Sequence, residues 1–438
     1  MRQIQAFLTL FKKKVVYYYR LSGLYFLKYF QKNIHLIIII VATALALFAR
    51  YKMILYPTQD MVGYVLGWLN QIKTNGFASF YTIDADYSPL FLFMLALVSL
   101  LPSGELVSFN GHTFYGNDMI YLKSIYFAFT IALAFAVYLI VKQLTKDKTK
   151  ATIGYILTIA LPTVFLNSTI WGNADVIYAT FVIYAFYWSL VRKDGLAFAF
   201  FGLAFSFKMQ AVFLLPYLVL LLLNRQMKFH KTLYAVFAFF LSLMPAFLFG
   251  ASLGQALNFI LEQLTGYRKL TLGCANFWQL VNFRGDIVND NATWFGLLLV
   301  GVVFAIVYLK RMNLSQDGNR FRVFFLLTMA TIFFLPYMHE RYFYLIDVAV
   351  IIYALIDKKK IHFVPLMQIS SIIAYYHYLS GYYFIDRWGE DSVHIAAFIN
   401  LFVLISVFVE VLKLDPVDDF LTNTKQIEQE IEKLKATK

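Results

Sequence analysis

The stretch Leu335-Pro-Tyr-Met-His-Glu-Arg-Tyr-Phe-Tyr344 closes an apolar run on three adjacent ionisable residues, His339, Glu340 and Arg341, followed by Tyr342. A guanidinium presents a planar fork of donors matched to phosphate oxygens. Glu340 beside it can hold its orientation, and His339 can carry a proton or donate a hydrogen bond. A charge at the edge of a membrane segment is costly unless it pairs, which makes it a functional-site hypothesis by default. A structural ion pair is the plainer alternative, but three ionisable neighbours in one short loop exceed what a single pair requires.

Three other polar clusters interrupt apolar sequence: Thr58-Gln-Asp-Met61, Trp171-Gly-Asn-Ala-Asp175 and Phe207-Lys-Met-Gln210. Asp60 follows a proline and precedes an amphipathic stretch. A partly desolvated carboxylate there can act as general base toward a hydroxyl, or can cap a helix; position alone leaves both open. Asp84 and Asp86 precede Pro89 in a capping context. Asp86 and Tyr87 can instead shape a cleft floor, and without nearby His or Cys the i, i+2 carboxylates are a weak metal signal. Asn173 and Asp175 put two polar groups at one mouth, where a cap needs one. Lys208, with Gln210, stands where a plain turn could use Gly or Asn, although a lysine can also snorkel to headgroups.

The elements that must hold these residues are membrane helices. Mean hydropathy is +0.65, with 61% hydrophobic and 14% charged residues, which excludes an ordinary soluble domain and indicates a polytopic membrane protein. One cysteine, Cys274, excludes an internal disulfide and a cysteine-based metal site. Residues 1–33, with Lys12-Lys13-Lys14, lack a cleavage site and read as a basic amphipathic interfacial segment on the cytoplasmic leaflet.

Spans of about 17–25 residues are expected near 34–55, 118–142, 151–167, 175–191, 232–250, 293–309, 323–337, 343–356, 364–380 and 393–412, with 196–223 split in two at Lys208. Residues 88–101 are too short to span and read as an edge helix inside a first external loop, 56–117. Seven segments are then cytoplasmic and hold 28 of the 38 Lys and Arg, the bias the positive-inside rule predicts. The expectation is twelve spans over 34–413, both termini cytoplasmic, and a helical cytoplasmic tail at 414–438. All four polar clusters then face outward, with the loop 251–292 (Tyr267, Arg268, Lys269, Trp278, Arg284) able to cover them.

An external carboxylate with external cations suits a reaction between a hydroxyl and a lipid-linked phosphate. The tail stays in the membrane while Arg341 and Lys208 stabilise the departing phosphate. There is no G-x-x-x-x-G-K-[ST] and no dinucleotide-binding fingerprint, which disfavours a nucleotide as direct donor. The +13 net charge reports orientation rather than nucleic-acid binding.

These motifs resemble those of the GT-C membrane glycosyltransferases. They resemble in particular those of bacterial relatives of the GPI mannosyltransferases; the glucosyltransferases that use dolichyl-phosphate glucose are more distantly similar. In those families an Asp in the first external loop is the base, which maps onto Asp60. Asp-Tyr-Pro-Pro-Leu resembles Asp86-Tyr-Ser-Pro-Leu90, with Ser88 for the first proline. Trp-Gly-Gln-Ala-Asp resembles Trp171 to Asp175, with Asn173 for Gln. Phe-Lys-Pro-Gln resembles Phe207 to Gln210, and His-Glu-Arg resembles His339 to Arg341.

The resemblance covers residues 34–345 and implies a GT-C fold with edge helices and inverting transfer of one sugar. The donor is a polyprenyl-phosphate sugar, and the acceptor is an external hydroxyl on a glycolipid or cell-envelope glycan. Asp60 is then the base, and Asp86, Tyr87, Trp171, Asn173, Asp175, Lys208, Gln210, His339, Glu340, Arg341 and Tyr342 bind substrate. The chain lacks the C-terminal soluble domain of the metal-dependent members, so no metal or other cofactor is expected. The implied location is a plasma membrane, bacterial by this resemblance, with the site on the extracytoplasmic side. A transporter or flippase of lipid-linked sugars, or a polysaccharide polymerase, are the alternatives; a transporter would place its charges at the membrane midplane.

Overall fold

A computed structural model describes residues 2–265, 269–281, 291–379 and 385–414. Tyr267, Arg268, Arg284 and the tail beyond residue 414 lie outside them.

The first helix, α1 (Arg2–Lys52), is unbroken for 51 residues. The basic segment and the first apolar run therefore share one helix, where the sequence suggested a boundary near residue 33. Lysine has good helix propensity, so Lys12 to Lys14 do not end it. After α1 come α2 (Leu66–Asn75), α3 (Pro89–Ser99) and an antiparallel hairpin, β1 (Leu106–Phe109) with β2 (His112–Tyr115). Its two-residue turn, Asn110-Gly111, has φ of 49° and 78°, the mirror-image turn that Asn-Gly favours.

The chain continues through α4 (Gly116–Thr145), α5 (Lys148–Ala160), α6 (Pro162–Phe165), α7 (Asp175–Leu190), α8 (Asp194–Phe207), α9 (Leu215–Leu223) and α10 (Leu233–Leu248). It then forms α11 (Leu253–Thr265), β3 (Thr271–Leu272), α12 (Phe277–Val281), α13 (Ala292–Leu309), α14 (Asp317–Phe334), β4 (Met338–His339), α15 (Tyr344–Ile356), α16 (Phe363–Leu379) and α17 (Ile385–Leu412). Pro162 sets Leu161 in an extended conformation, and the helix bends by 45° there.

This is a predominantly helical membrane protein. Among the described residues five helices are long and apolar enough to cross a bilayer, six if α5 and the bent segment after it make one span. Exposed faces are apolar at helical spacing: Ile395, Phe398, Phe402, Ile405 and Val409 form such a stripe on α17, the reverse of a soluble helix. Inside, Phe186, Tyr217, Phe324, Phe325 and Tyr353 interlock α7, α9, α14 and α15.

Connections gather at two ends of the bundle. At one end Gln143 donates to Asp317 at 2.8 Å and Arg192 to the Ser315 carbonyl at 2.6 Å. Arg320 donates to Gln226 at 2.9 Å, and Glu410 is held by Arg322 at 2.6 Å and Lys360 at 2.9 Å. These residues lie on loops, or on helix ends beside them, that charge counting puts on one side. Both ends of α3 lie at the opposite end of the bundle. Ser88 donates to the Phe207 carbonyl at 3.3 Å, and the Leu101 carbonyl accepts from Lys73, which also pairs with Asp118 in the first turn of α4. At about 16 Å, α3 is half the apolar thickness of a bilayer, and it does not carry the chain across.

Candidate functional site

Two wide π-helical turns build the site's floor: Asp60–Val65, between α1 and α2, and Leu166–Trp171, which continues α6. Thr58 joins them, its hydroxyl donating to the Trp171 carbonyl at 2.7 Å. From α4, Lys123 donates to the Tyr56 carbonyl at 2.7 Å and anchors the approach to Asp60. Gly172 has φ of 73°, and a Cβ there would lie 3.0 Å from Met61 Sδ and 3.1 Å from Lys123 Cε. Glycine is what lets the two turns close.

The Asp60 carboxylate is held on both oxygens. Trp171 Nε1 donates to Oδ2 at 2.9 Å, and the Tyr378 hydroxyl donates to Oδ1 at 2.5 Å. Arg341 Nη1 lies 3.8 Å from Oδ2, at ion-pair distance but beyond a hydrogen bond. Behind Arg341 sits Asp175, fully buried at the start of α7. It accepts from Lys208 Nζ at 2.5 Å and from Asn167 Nδ2 at 2.9 Å, and lies 3.6 Å from Arg341 Nε. The break between α8 and the 3₁₀ turn Met209–Leu214 places Lys208 in extended backbone, facing inward.

The loop that carries Arg341 is clamped by backbone pairing. β4 lies parallel to β3, with Tyr337 N donating to the Leu270 carbonyl at 3.0 Å and Glu340 N to the Leu272 carbonyl at 3.1 Å. Part of the loop 251–292 therefore braces the site. Glu340 accepts from Arg341 Nη1 at 2.7 Å. Burial pushes the Glu340 carboxyl up, but Arg341 and His339 outweigh it and hold it at about 2. Burial works against the charge of Arg341, and Glu340 and Asp175 reverse that and raise it above its ordinary value. His339 is pushed below 6.5 by burial, against its bond to Glu340, and is neutral at pH 7. Burial raises the Tyr87 phenol, which stays protonated 3.3 Å from Lys208 Nζ.

Beside this cluster is a cavity of about 260 Å³. Lys208, Gln210, His339, Arg341, Tyr342, Asp86 and Tyr87 give it a polar side; Met209, Val212, Phe213, Leu335 and Pro336 give it an apolar wall. Gln210 donates to the Tyr342 hydroxyl at 2.6 Å, while its own carbonyl oxygen is buried without a hydrogen bond, as is Arg341 Nε. The Gln210 oxygen is a buried acceptor at the cavity, whereas Arg341 Nε faces Asp175 Oδ2 at 3.6 Å.

Four clusters far apart in sequence thus meet in one place. Trp171 and Asp175, read as substrate-binding, are fully buried. Trp171 has Tyr378 stacked on its ring at 4.6 Å and the Arg341 guanidinium 5.4 Å from its centroid, so its indole is covered by these two side chains and bonded to Asp60. Asp175 does not line the cavity and contacts the two cations that do. Asn173 is buried and, among the described residues, neither lines the cavity nor bonds another site side chain; its backbone N donates to the Asn167 carbonyl at 3.0 Å. Sequence reasoning missed Asn167 and Tyr378. Asn167 is a lone amide in an apolar run, the kind of signal that finds such residues; Tyr378 is one of 31 tyrosines and gave none.

Among the described residues no three His, Cys, Asp or Glu gather as a metal-ligand group. No protein-family model matches the chain, and no curated protein matches it.

Proposed function

We propose that the protein is an inverting membrane glycosyltransferase of GT-C architecture that moves one sugar from a polyprenyl-phosphate donor to an external hydroxyl. The observation that carries this reading is the cavity with two cations on its polar side and an apolar wall, sharing Arg341 with a partly exposed carboxylate, Asp60. A lipid phosphate needs both surfaces together. In this reading the twelve helical segments cross the membrane, both termini are cytoplasmic and the cluster faces outward.

The chemistry follows from these positions. Asp60 takes the proton of the acceptor hydroxyl as its oxygen attacks the anomeric carbon. The bond from that carbon to the phosphate oxygen breaks, and its electron pair leaves on the phosphate, next to Arg341 and Lys208. Attack opposite the leaving group inverts the anomeric configuration. Gln210 and Tyr342, at the cavity, hydrogen-bond the donor head.

The test is transfer by purified protein from radiolabelled polyprenyl-phosphate sugars, offered one at a time, with Asp60→Asn as control. Transfer by the wild type with a loss of about 10²–10⁴-fold in Asp60→Asn is expected, the usual worth of a general base. Activity of Asp60→Asn within a few-fold of wild type reduces Asp60 to a structural residue.

A second reading, transport of lipid-linked sugars, draws on the helix broken at Leu161-Pro162 and on Asp347, fully buried on α15 and bonded to Ser371 at 2.9 Å. Interrupted helices and buried acids are features of transporters. Movement of donor between leaflets without sugar transfer is the outcome that favours it.

A further inference from the structure

We infer that Tyr378, at the end of α16, is the residue that fixes the Asp60 carboxylate in its working orientation. The inference rests on the reading of Asp60 as the base. Tyr378 lies outside residues 34–345, so the motifs that resemble known glycosyltransferases do not include it.

One hydroxyl makes two bonds to one residue. Tyr378 accepts from the Asp60 backbone N at 3.0 Å and donates to Asp60 Oδ1 at 2.5 Å. A group tied to both the main chain and the side chain of the same aspartate locks the torsions between them. Trp171 holds the other oxygen, and the Tyr378 ring stacks on the Trp171 indole with 11° between planes. The indole and phenol are thus one rigid unit that grips the carboxylate from two sides. A general base loses rate steeply when misplaced by an ångström or so. The charged group facing Asp60 is Arg341 at 3.8 Å; Asp175 lies behind it, on the other side of the guanidinium. Lys208, Asp175 and Arg341 are held to one another by their own ion pairs.

Tyr378 touches Asp60 rather than the reacting atoms, which makes it a positioning residue. Tyr378→Phe keeps the stacked ring and deletes the hydroxyl. The expected result is a fall in kcat of about 10- to 100-fold, with donor KM within two-fold of wild type. In an Asp60→Asn background the same change should cost nothing further, because Tyr378 acts through Asp60. Unchanged kcat in Tyr378→Phe, or a loss that adds fully to that of Asp60→Asn, overturns the proposal.

A second measurement needs no substrate. Tyr378→Phe and Asp60→Ala each remove one side of the same contact, so each should lower the melting temperature in detergent and the double substitution should be less than additive. Full additivity, or an unchanged melting temperature in Tyr378→Phe, overturns the proposal even if no sugar donor is turned over. Coupling in a protein that transfers nothing keeps the Tyr378 contact and removes the glycosyltransferase reading.

Discussion

Asp175 bridges the two cations of the site: Oδ1 lies 2.5 Å from Lys208 Nζ and Oδ2 3.6 Å from Arg341 Nε. Because Asp175 is fully buried and Lys208 nearly so, this contact is made in a low dielectric and fixes where positive charge is presented to the cavity. Breaking a buried pair by removing one partner costs about 3–5 kcal/mol. Asp175→Asn should lower the melting temperature in detergent markedly, and Asp175→Asn combined with Lys208→Met should recover part of it. A melting curve like that of wild type would show that the cations are held by other means.

Arg341 and Lys208 should not be interchangeable. Arg341→Lys keeps the charge but loses the fork, so transfer should fall about ten-fold; Arg341→Ala should cost about 10²–10³-fold. If both cations act on the departing phosphate, kcat falls more than donor KM rises. Lys208→Ala should show the same pattern more weakly, and the double substitution should be less than additive. Full activity in Arg341→Ala would remove the phosphate-linked donor from the proposal.

Acid should act first through His339. Its value in the folded protein lies below 6.5, because burial disfavours the imidazolium. A group whose folded value is depressed contributes stability above its unfolded value and loses it as pH falls. Melting temperature should therefore decline below pH 6.5, and His339→Gln should flatten that decline. The corresponding window for Glu340 lies lower, between 4.5 and about 2, so the two are separable. A slope below pH 6.5 that is the same in His339→Gln would assign it elsewhere.

Sidedness can be checked by chemistry. Cys274 is buried, and Cys274→Ser gives a background for single new cysteines. The exposed tip residue Asn110 has φ of 49°, a conformation cysteine adopts at a cost, so the exposed neighbour Ser108 on β1 is the better position. Ser108→Cys should react with an impermeant maleimide from outside, and Lys148→Cys only after permeabilisation. Reaction of both from one side would take the outward-facing cleft with it.

The readable parts of this sequence were those where a rare residue breaks a common pattern. Lys208 and Arg341 are charges within or at the edge of apolar runs, and Asp60 and Asp175 stand at the mouths of such runs; the structure brings all four within one network. What stayed hidden lacked contrast. Tyr378 sits in an aromatic-rich helix, where one more tyrosine carries no pattern. Strands of two residues have no period to detect, so the pairing of Thr271-Leu272 with Met338-His339 was invisible. Spacing reports which residues converge, while burial, complete at Trp171 and Asp175, is legible only in the structure.

Asp60 opens one π-helical turn and Trp171 closes the other. Such a turn holds one residue more than the α-helical turn it replaces, and each residue of an α-helix accounts for about 100° of rotation. Deleting a single residue from 61–65 or from 166–170 lets that stretch relax to ordinary helix. The change removes the wide turn's own bonds and with them the Thr58–Trp171 bond that joins the two turns, swinging Asp60 or Trp171 away from the other. The bundle and its apolar exterior would survive such a loss, but the aspartate–indole contact would not. One missing codon at either place is therefore enough to turn this protein into a folded membrane scaffold without its site.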